Sequence, residues 1–357
     1  MNKNIVVLVI FAFIFSFYAN AKQNLRIYYK YVAAAENCII EDDYDNAAKY
    51  YRKAFVNKDF IFENDLLNAI YCEVKSKNPS KEYCQIYSAQ SGYDLYKKFK
   101  DFDGIDSTFF VKNIKQSDYT QIREQIRKMR ELDQKYRKNY NPKDTMQSMQ
   151  LFNADLTNFV QFSILLDSIN LFDERIINFD EIAVFFNHWS VNYLSISDFL
   201  PKMLQSINEG VMDARKFAAD VGDILFWRKN PESPFSPYGT QLLTIYRATC
   251  GENDISKSKY IAFFNFNSND KEVKKKIKEI DKKRESIFLG SAFESNLNDF
   301  KLWLKCCGYS YDNLGYLYPQ PQQLVCEKNA EEILNKELLK NPNLLYYFTG
   351  EHDFNNK

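Results

Sequence analysis

Two aspartates occupy helical positions that the surrounding pattern reserves for apolar side chains, and a histidine lies on a third, aromatic-rich segment. Ile122, Ile126, Met129, Asp133 and Tyr136 recur at helical spacing and form one stripe with a single carboxylate in it. Phe152, Asp155, Phe159, Phe162, Leu166 and Ile169 repeat the anomaly, with Asp155 the only charge. A carboxylate buried alone is costly, so each needs a partner. Asp133 reaches Arg137 at i+4 and Arg130 at i−3. Asp155 has no cation near it in sequence, which leaves Arg137, Arg284 and His188 as candidates from other elements. His188 lies among Ile182, Val184, Phe185, Phe186, Trp189 and Val191 and is the only histidine before His352. Together these groups would make a polar pocket inside a helical bundle. His188 would act there as general acid or base, oriented by Asp133 or Asp155, with Arg137 holding an anionic group. The same residues also fit a buried ion-pair network that fixes helix register. The network is the preferred expectation, because a lone histidine on an aromatic-rich helix is more often a satisfied core residue than a catalyst. No serine or cysteine sits in a nucleophile elbow, and no glycine-rich phosphate loop is present.

The elements that must position these groups read as helices. A strong helix is expected over 118–140, stopped by Asn141-Pro142. The next, 145–169, adds Leu151, Leu156, Val160 and Leu165 to its stripe, is nearly apolar all round, and is expected at the centre of its domain. Helices over 179–194, 198–208, 211–228, 271–288, 296–305 and 330–339 come next, with one short strand at 260–266. Upstream, the pattern to about Asp118 is short amphipathic helices. Tyr44, Ala47, Tyr51 and Ala54 share one face, and the segment 43–55 resembles the second helix of a tetratricopeptide repeat, with 25–40 as its partner. A second hairpin is expected through 66–74 and 80–89, with a poor consensus.

Motif order adds a resemblance. Asp133-Gln134-Lys135-Tyr136-Arg137 matches D-Q-x-x-R, and Asp155-Leu156-Thr157-Asn158 matches D-x-x-N. His188, Tyr238-Gly239-Thr240-Gln241, and Asp281 with Arg284 before Leu289-Gly290 come after them. In this order, over about 121–300, the chain resembles an uncharacterised, often exported bacterial domain family marked by D-Q-x-x-R and Y-G-T-Q. After the second helix that family tends to a Gly-Trp-Pro turn, where this chain reads Ile169-Asn170-Leu171-Phe172. The resemblance extends the domain and assigns no activity. Gln134, Asn158, Tyr238, Gly239, Thr240, Gln241 and Arg284 join the set as candidate binding residues. Tyr238 to Gln241 reads as a tight turn in which Gly239 takes a backbone shape other residues resist. The Thr240 and Gln241 side chains either line the pocket or cap the next helix.

Residues 1–21 carry an address. Lys3, an apolar run from Ile5 to Tyr18 and Ala19-Asn20-Ala21 read as a secretory signal, too short for a membrane span. Its removal takes away Lys3 alone and leaves a near-neutral chain, since Lys plus Arg and Asp plus Glu are both 47. That balance carries no global signal for nucleic acid or an acidic membrane. Thirty Phe and 25 Tyr supply a core, while ten Gly and nine Pro are few for a many-turned β protein. All seven cysteines survive cleavage, an odd number, and most are read as small buried hydrophobes. Without a C-x-x-C or His/Cys cluster, no metal is expected, and no cofactor motif is present.

The expected fold is all-α, with at most one or two short strands. Residues 1–21 are a signal peptide, 22–117 tetratricopeptide-like hairpins, 118–300 a helical domain and 301–357 a partly mobile extension. The expected product is an exported periplasmic or secreted protein with no transmembrane segment after cleavage. Its leading role is to present a hairpin groove to a peptide or protein partner. The competing role is a hydrolytic enzyme built on Asp133, Arg137, Asp155 and His188.

Overall fold

The computed structural model describes residues 3–91, 107–109, 119–138, 140–191, 196–222, 238–239, 243–247, 260–264, 270–307, 324–326 and 346–348. They are mostly helical, as the composition and periodicity require, and divide into two compact units, 1–214 and 215–357.

The first unit opens with α1 (Lys3–Ile40), α2 (Tyr44–Phe55), α3 (Glu63–Lys75) and α4 (Lys81–Ser91). Asp43 starts α2 by accepting a hydrogen bond from the Asn46 amide. The expected face of α2 is buried through Ala47, Tyr51 and Ala54, whose small members let neighbouring helices approach. Tyr31 stacks on Tyr50 between α1 and α2, and Phe55 meets Tyr83 edge-on between α2 and α4. Polar crossties sit inside this packing. Tyr28 donates to buried Asp65 at 2.5 Å, and Arg52 donates to buried Glu73 at 2.8 Å. No helix among the described residues is long and apolar enough to cross a membrane. Cys38, Cys72 and Cys84 are free, and the Cys72 and Cys84 side chains are buried, which agrees with their reading as small core residues.

The longer helices described in the rest of the unit are α5 (Thr120–Lys135), α6 (Thr145–Ser168), α7 (Asp180–Val191) and α8 (Leu200–Asn208). Asp144 caps α6 by accepting from the amides of Met146 and Gln147. Phe162, Phe172, Phe186, Trp189 and Phe199 interlock with ring centroids 5.2–6.4 Å apart and form the core that α6, α7 and α8 share.

Three expectations change. α5 ends at Lys135 and not at 140, because the chain tightens into a turn in which the Arg137 amide bonds the Gln134 carbonyl at 3.2 Å. A domain boundary at 117/118 does not part compact units, because hydrogen bonds tie the hairpins to segments beyond it. The Tyr29 hydroxyl donates to Asp213 and accepts from the Ala214 amide, and Asn178 donates to Glu63 at 2.8 Å. The third concerns α6, whose expected central position is not what forms. Ala154, Asp155, Asn158, Phe162 and Leu166 are buried on one face, while Met146, Met149, Phe152, Leu156, Val160 and Ile164 are exposed on the other.

The second unit contains α9 (Lys271–Ser286), α10 (Ala292–Cys307) and a small sheet. Its strands are β1 (Leu243–Arg247), β2 (Tyr260–Phe264), β3 (Leu324–Cys326) and β4 (Tyr346–Phe348), in the order β3-β1-β2-β4. β2 pairs antiparallel with β1 and β4, and β3 runs parallel to β1. The strand expected near 260 is therefore present, but the sheet has four strands where one or two were expected. Two of them are three residues long, too short for alternation to register. The helix expected at 330–339 and the mobile extension fall largely outside the described residues.

Gly210 closes α8 with a left-handed φ of +72°, and its amide bonds the Ile207 carbonyl. A Cβ there would lie 2.7 Å from the Leu25 side chain of α1. Gly210→Ala is expected to lower the thermal midpoint by about 2–8 °C, from roughly 1–2 kcal/mol of left-handed strain. Gly290→Ala, where an added Cβ meets nothing within 4 Å, is the control and should leave the midpoint unchanged. Equal midpoints for the two variants in a thermal melt would refute this account of the α1–α8 junction.

Candidate functional site

The D-Q-x-x-R sequence works as a unit because its three polar side chains meet at one carboxylate. Asp133 lies in the last turn of α5 and is fully buried. The Gln134 amide donates to its Oδ2 at 2.6 Å, and the Arg137 guanidinium donates to its Oδ1 at 3.1 Å from Nη2. Arg137 sits in the turn that follows the end of α5. The same Nη2 donates to Asp155 Oδ1 at 2.5 Å, so one guanidinium holds buried carboxylates from two helices. Arg137 is thus the cation from another element that Asp155 required. Asn158, one turn on from Asp155, donates to the Met129 carbonyl of α5 at 2.8 Å and locks α6 against it.

His188 enters from α7, with Nδ1 2.8 Å from Asp133 Oδ1 and 3.0 Å from Arg137 Nε. One ring nitrogen cannot donate to the carboxylate and accept from the guanidinium together. We assign the proton to Nδ1, because the contact to the carboxylate is shorter and charge-assisted. Arg137 Nε then turns to Asp133 Oδ2, 3.4 Å away. This leaves Nε2 as the basic nitrogen, and no hydrogen bond to it is present among the described residues. The His188 and Arg137 side chains keep 22% and 20% of their exposure, whereas those of both aspartates keep none. The cluster therefore has a buried anionic floor and a solvent-reaching upper edge.

The two carboxylates are pushed in opposite directions. Burial raises Asp133, but hydrogen bonds from His188 and Arg137 outweigh it and hold the group below the ordinary carboxylate range. Burial also raises Asp155. There the Arg137 bond falls short of offsetting it and the Asp133 charge adds repulsion, so Asp155 stays above that range.

The ligand atoms of Asp133, Asp155 and His188 lie within 4.8 Å of one another, a grouping that the sequence spacing did not signal as a metal set. An ion at their centre would compete with Arg137, whose Nη2 already neutralises both carboxylates. The arrangement is accordingly read as an ion-pair cluster carrying a histidine.

The remaining candidates lie in the second unit. Gly239 has the left-handed φ, +59°, expected of its turn. The turn is gripped by backbone contacts, with Arg284 Nη1 donating to the Tyr238 carbonyl at 2.8 Å and the Asn296 amide to the Gly239 carbonyl at 2.5 Å. Arg284 Nε also donates to the Gly290 carbonyl, and Asp281 accepts from the Ala292 amide. Arg284 and Asp281 thus shape the α9–α10 turn, and buried Asn296 is a member of the arrangement that the motifs did not flag. Its only sequence signal is a polar residue on an apolar helix face. Thr240 and Gln241 lie outside the described residues. Comparison with protein families, curated proteins and solved structures finds no match to this chain.

The opposed shifts predict opposed pH limbs. Asp133 adds stability above the unfolded carboxylate value of about 4, and that stability is lost as pH falls through its depressed folded value. Asp155 contributes with the other sign, most below about pH 4, and its contribution is lost as pH rises through its raised folded value. Asp133→Asn should flatten the strongly acidic limb of the stability profile, and Asp155→Asn the limb just above it. Urea unfolding from pH 2 to 7 checks this, and the same limb flattened by both variants would contradict it.

Proposed function

We propose that the chain is an exported helical protein whose Asp133–Arg137–Asp155–His188 cluster is an acid–base site for hydrolysis of a substrate bearing an anionic group. The observation that carries this reading is the orientation of His188. Asp133 holds Nδ1, while Nε2 has no protein partner among the described residues and the ring reaches solvent. That is the geometry a general base needs. Nε2 takes a proton from an attacking water as the new bond forms, Asp133 stabilises the imidazolium, and the proton passes to the leaving group. Arg137, whose side chain keeps 20% of its exposure, faces the substrate anion, and Asp155 holds Arg137 in place.

A second reading, in which the chain binds a protein or peptide beside its tetratricopeptide-like hairpins, is favoured by a separate observation. A cleft of about 250 Å³ is lined by Phe60, Glu63 and Gln90 from the hairpin segment and by Arg123, Arg130 and Glu181 from α5 and α7. Gln90 Oε1 is buried there without a hydrogen bond, and burial raises the Glu181 carboxyl above its ordinary range against the pull of Arg123 and Arg130.

The chain carries only two histidines, which makes the test direct. A panel of chromogenic carboxylic esters, phosphoric esters and glycosides should yield a turned-over member, and His188→Ala should slow that turnover by about 10²–10⁴-fold without lowering thermal stability. Long-range ¹H–¹⁵N spectra should place the proton of the neutral ring on Nδ1, and Asp133→Asn should abolish that preference. Absence of turnover, or equal turnover in His188→Ala, removes the catalytic reading. A peptide whose binding is lost in Glu181→Lys would then favour the second.

Export has its own check. Protein recovered from outside the cytoplasm of an expressing bacterium should begin at Lys22 by intact mass. An unprocessed Met1 start would refute signal cleavage.

A further inference from the structure

Exposed large apolar side chains are not scattered over this molecule. Among the described residues eight such side chains are exposed, and six of them, Met146, Met149, Phe152, Leu156, Val160 and Ile164, lie on one face of α6. Their exposures run from 39% to 71%. Successive members are three or four residues apart, so they form an unbroken stripe about 27 Å long. An apolar patch of this size marks an interaction surface in a folded protein.

Charge narrows the occupant. Between Thr145 and Leu166 the helix has no Lys, Arg or Glu, and its single Asp is buried on the opposite face. The stripe thus offers nothing to a charged partner. Asp144 and Asp167 bracket it, and the helix has none of the Lys or Arg with which interfacial helices meet anionic lipid. An uncharged stripe is instead complementary to itself. Placed antiparallel about a two-fold axis near Leu156, Met146 faces Ile164 of a second copy and Met149 faces Val160, with the helix dipoles opposed. Covering the stripe would bury roughly 600 Å² per copy, approaching the ~800 Å² per partner of a standard interface. The flexible Met146 and Met149 would fill the gaps at its ends.

We propose that the protein forms a homodimer through the α6 stripe. The test uses the processed chain from Lys22 under reducing conditions, with sedimentation equilibrium as the readout. Wild type should sediment at twice the mass of one chain. Met149→Lys with Val160→Lys should weaken association at least about a hundredfold by burying charges in an apolar seam, and should leave the helical circular dichroism intact. Should the double variant fail to fold, Leu156→Cys decides. Under mild oxidation it should give a disulfide-linked dimer that neither wild type nor Gln161→Cys gives, because only a residue near the axis brings two Cα atoms within ~7 Å. A monomeric wild type, an undiminished dimer in the lysine variant, or no cross-link specific to Leu156→Cys overturns the proposal.

Discussion

Arg137 is the constraint around which the first unit is arranged. Two carboxylates with no solvent exposure come from different helices, and neither is tolerable there without a cation. One guanidinium serves both, from the turn just past the end of α5. The helix ends at Lys135, residues 136–138 form a turn, and α6 has to present Asp155 at one height along its length. Asn158 fixes that height from the next turn through the Met129 carbonyl. Once α5 and α6 are so registered, His188 on α7 meets Asp133 only if the aromatic core of Phe162, Phe186 and Trp189 packs as it does. The polar contacts choose the register, and the rings supply the burial that makes an error in register costly.

Much of this was legible in the sequence, and the reason is specific. A carboxylate on an apolar helical stripe violates the pattern, and the violation can be resolved only by a partner, so Asp133 and Asp155 announced themselves. The i+4 rule pointed to Arg137, and the histidine stood out because its helix is otherwise so apolar. Periodicity could not say that the cation would leave the helix to reach both carboxylates, because that depends on where α5 stops. The Gly239 turn was readable from its glycine. Arg284 was in the motif set, but its grip on the turn and the part of Asn296 were not readable, because both act through backbone carbonyls that carry no sequence identity.

The misreading of α6 shows where single-sequence reasoning gives out. A helix apolar on most sides is ordinarily surrounded, and the pattern of 145–169 satisfies that rule. The rule cannot tell a helix covered by its own chain from one left open on one face. Likewise, the boundary placed near residue 118 tracked a change in pattern, while the bonds that cross it, such as Asn178 to Glu63, join residues far apart in sequence. Three-residue strands fail for a similar reason, since their pairing partners and not their own composition make them strands.

The cluster need not be either a structural network or a chemical site. Holding α5 to α6 takes Asp133, Asp155 and Arg137, and those three satisfy one another. His188 is not required for that balance. It adds a contact to an oxygen that Arg137 already serves, and no described residue hydrogen-bonds its other nitrogen. A residue kept only for packing at this position would match its neighbours Phe185, Phe186 and Trp189, which are fully buried. A polar ring with one nitrogen anchored and one without a hydrogen-bond partner among the described residues differs from them in chemistry as well as exposure. The opposite shifts of the two carboxylates fit this division, with Asp133 held ionised beside the ring and Asp155 held closer to its neutral form behind the guanidinium. The buried pair builds the floor, and the histidine is what that floor makes available.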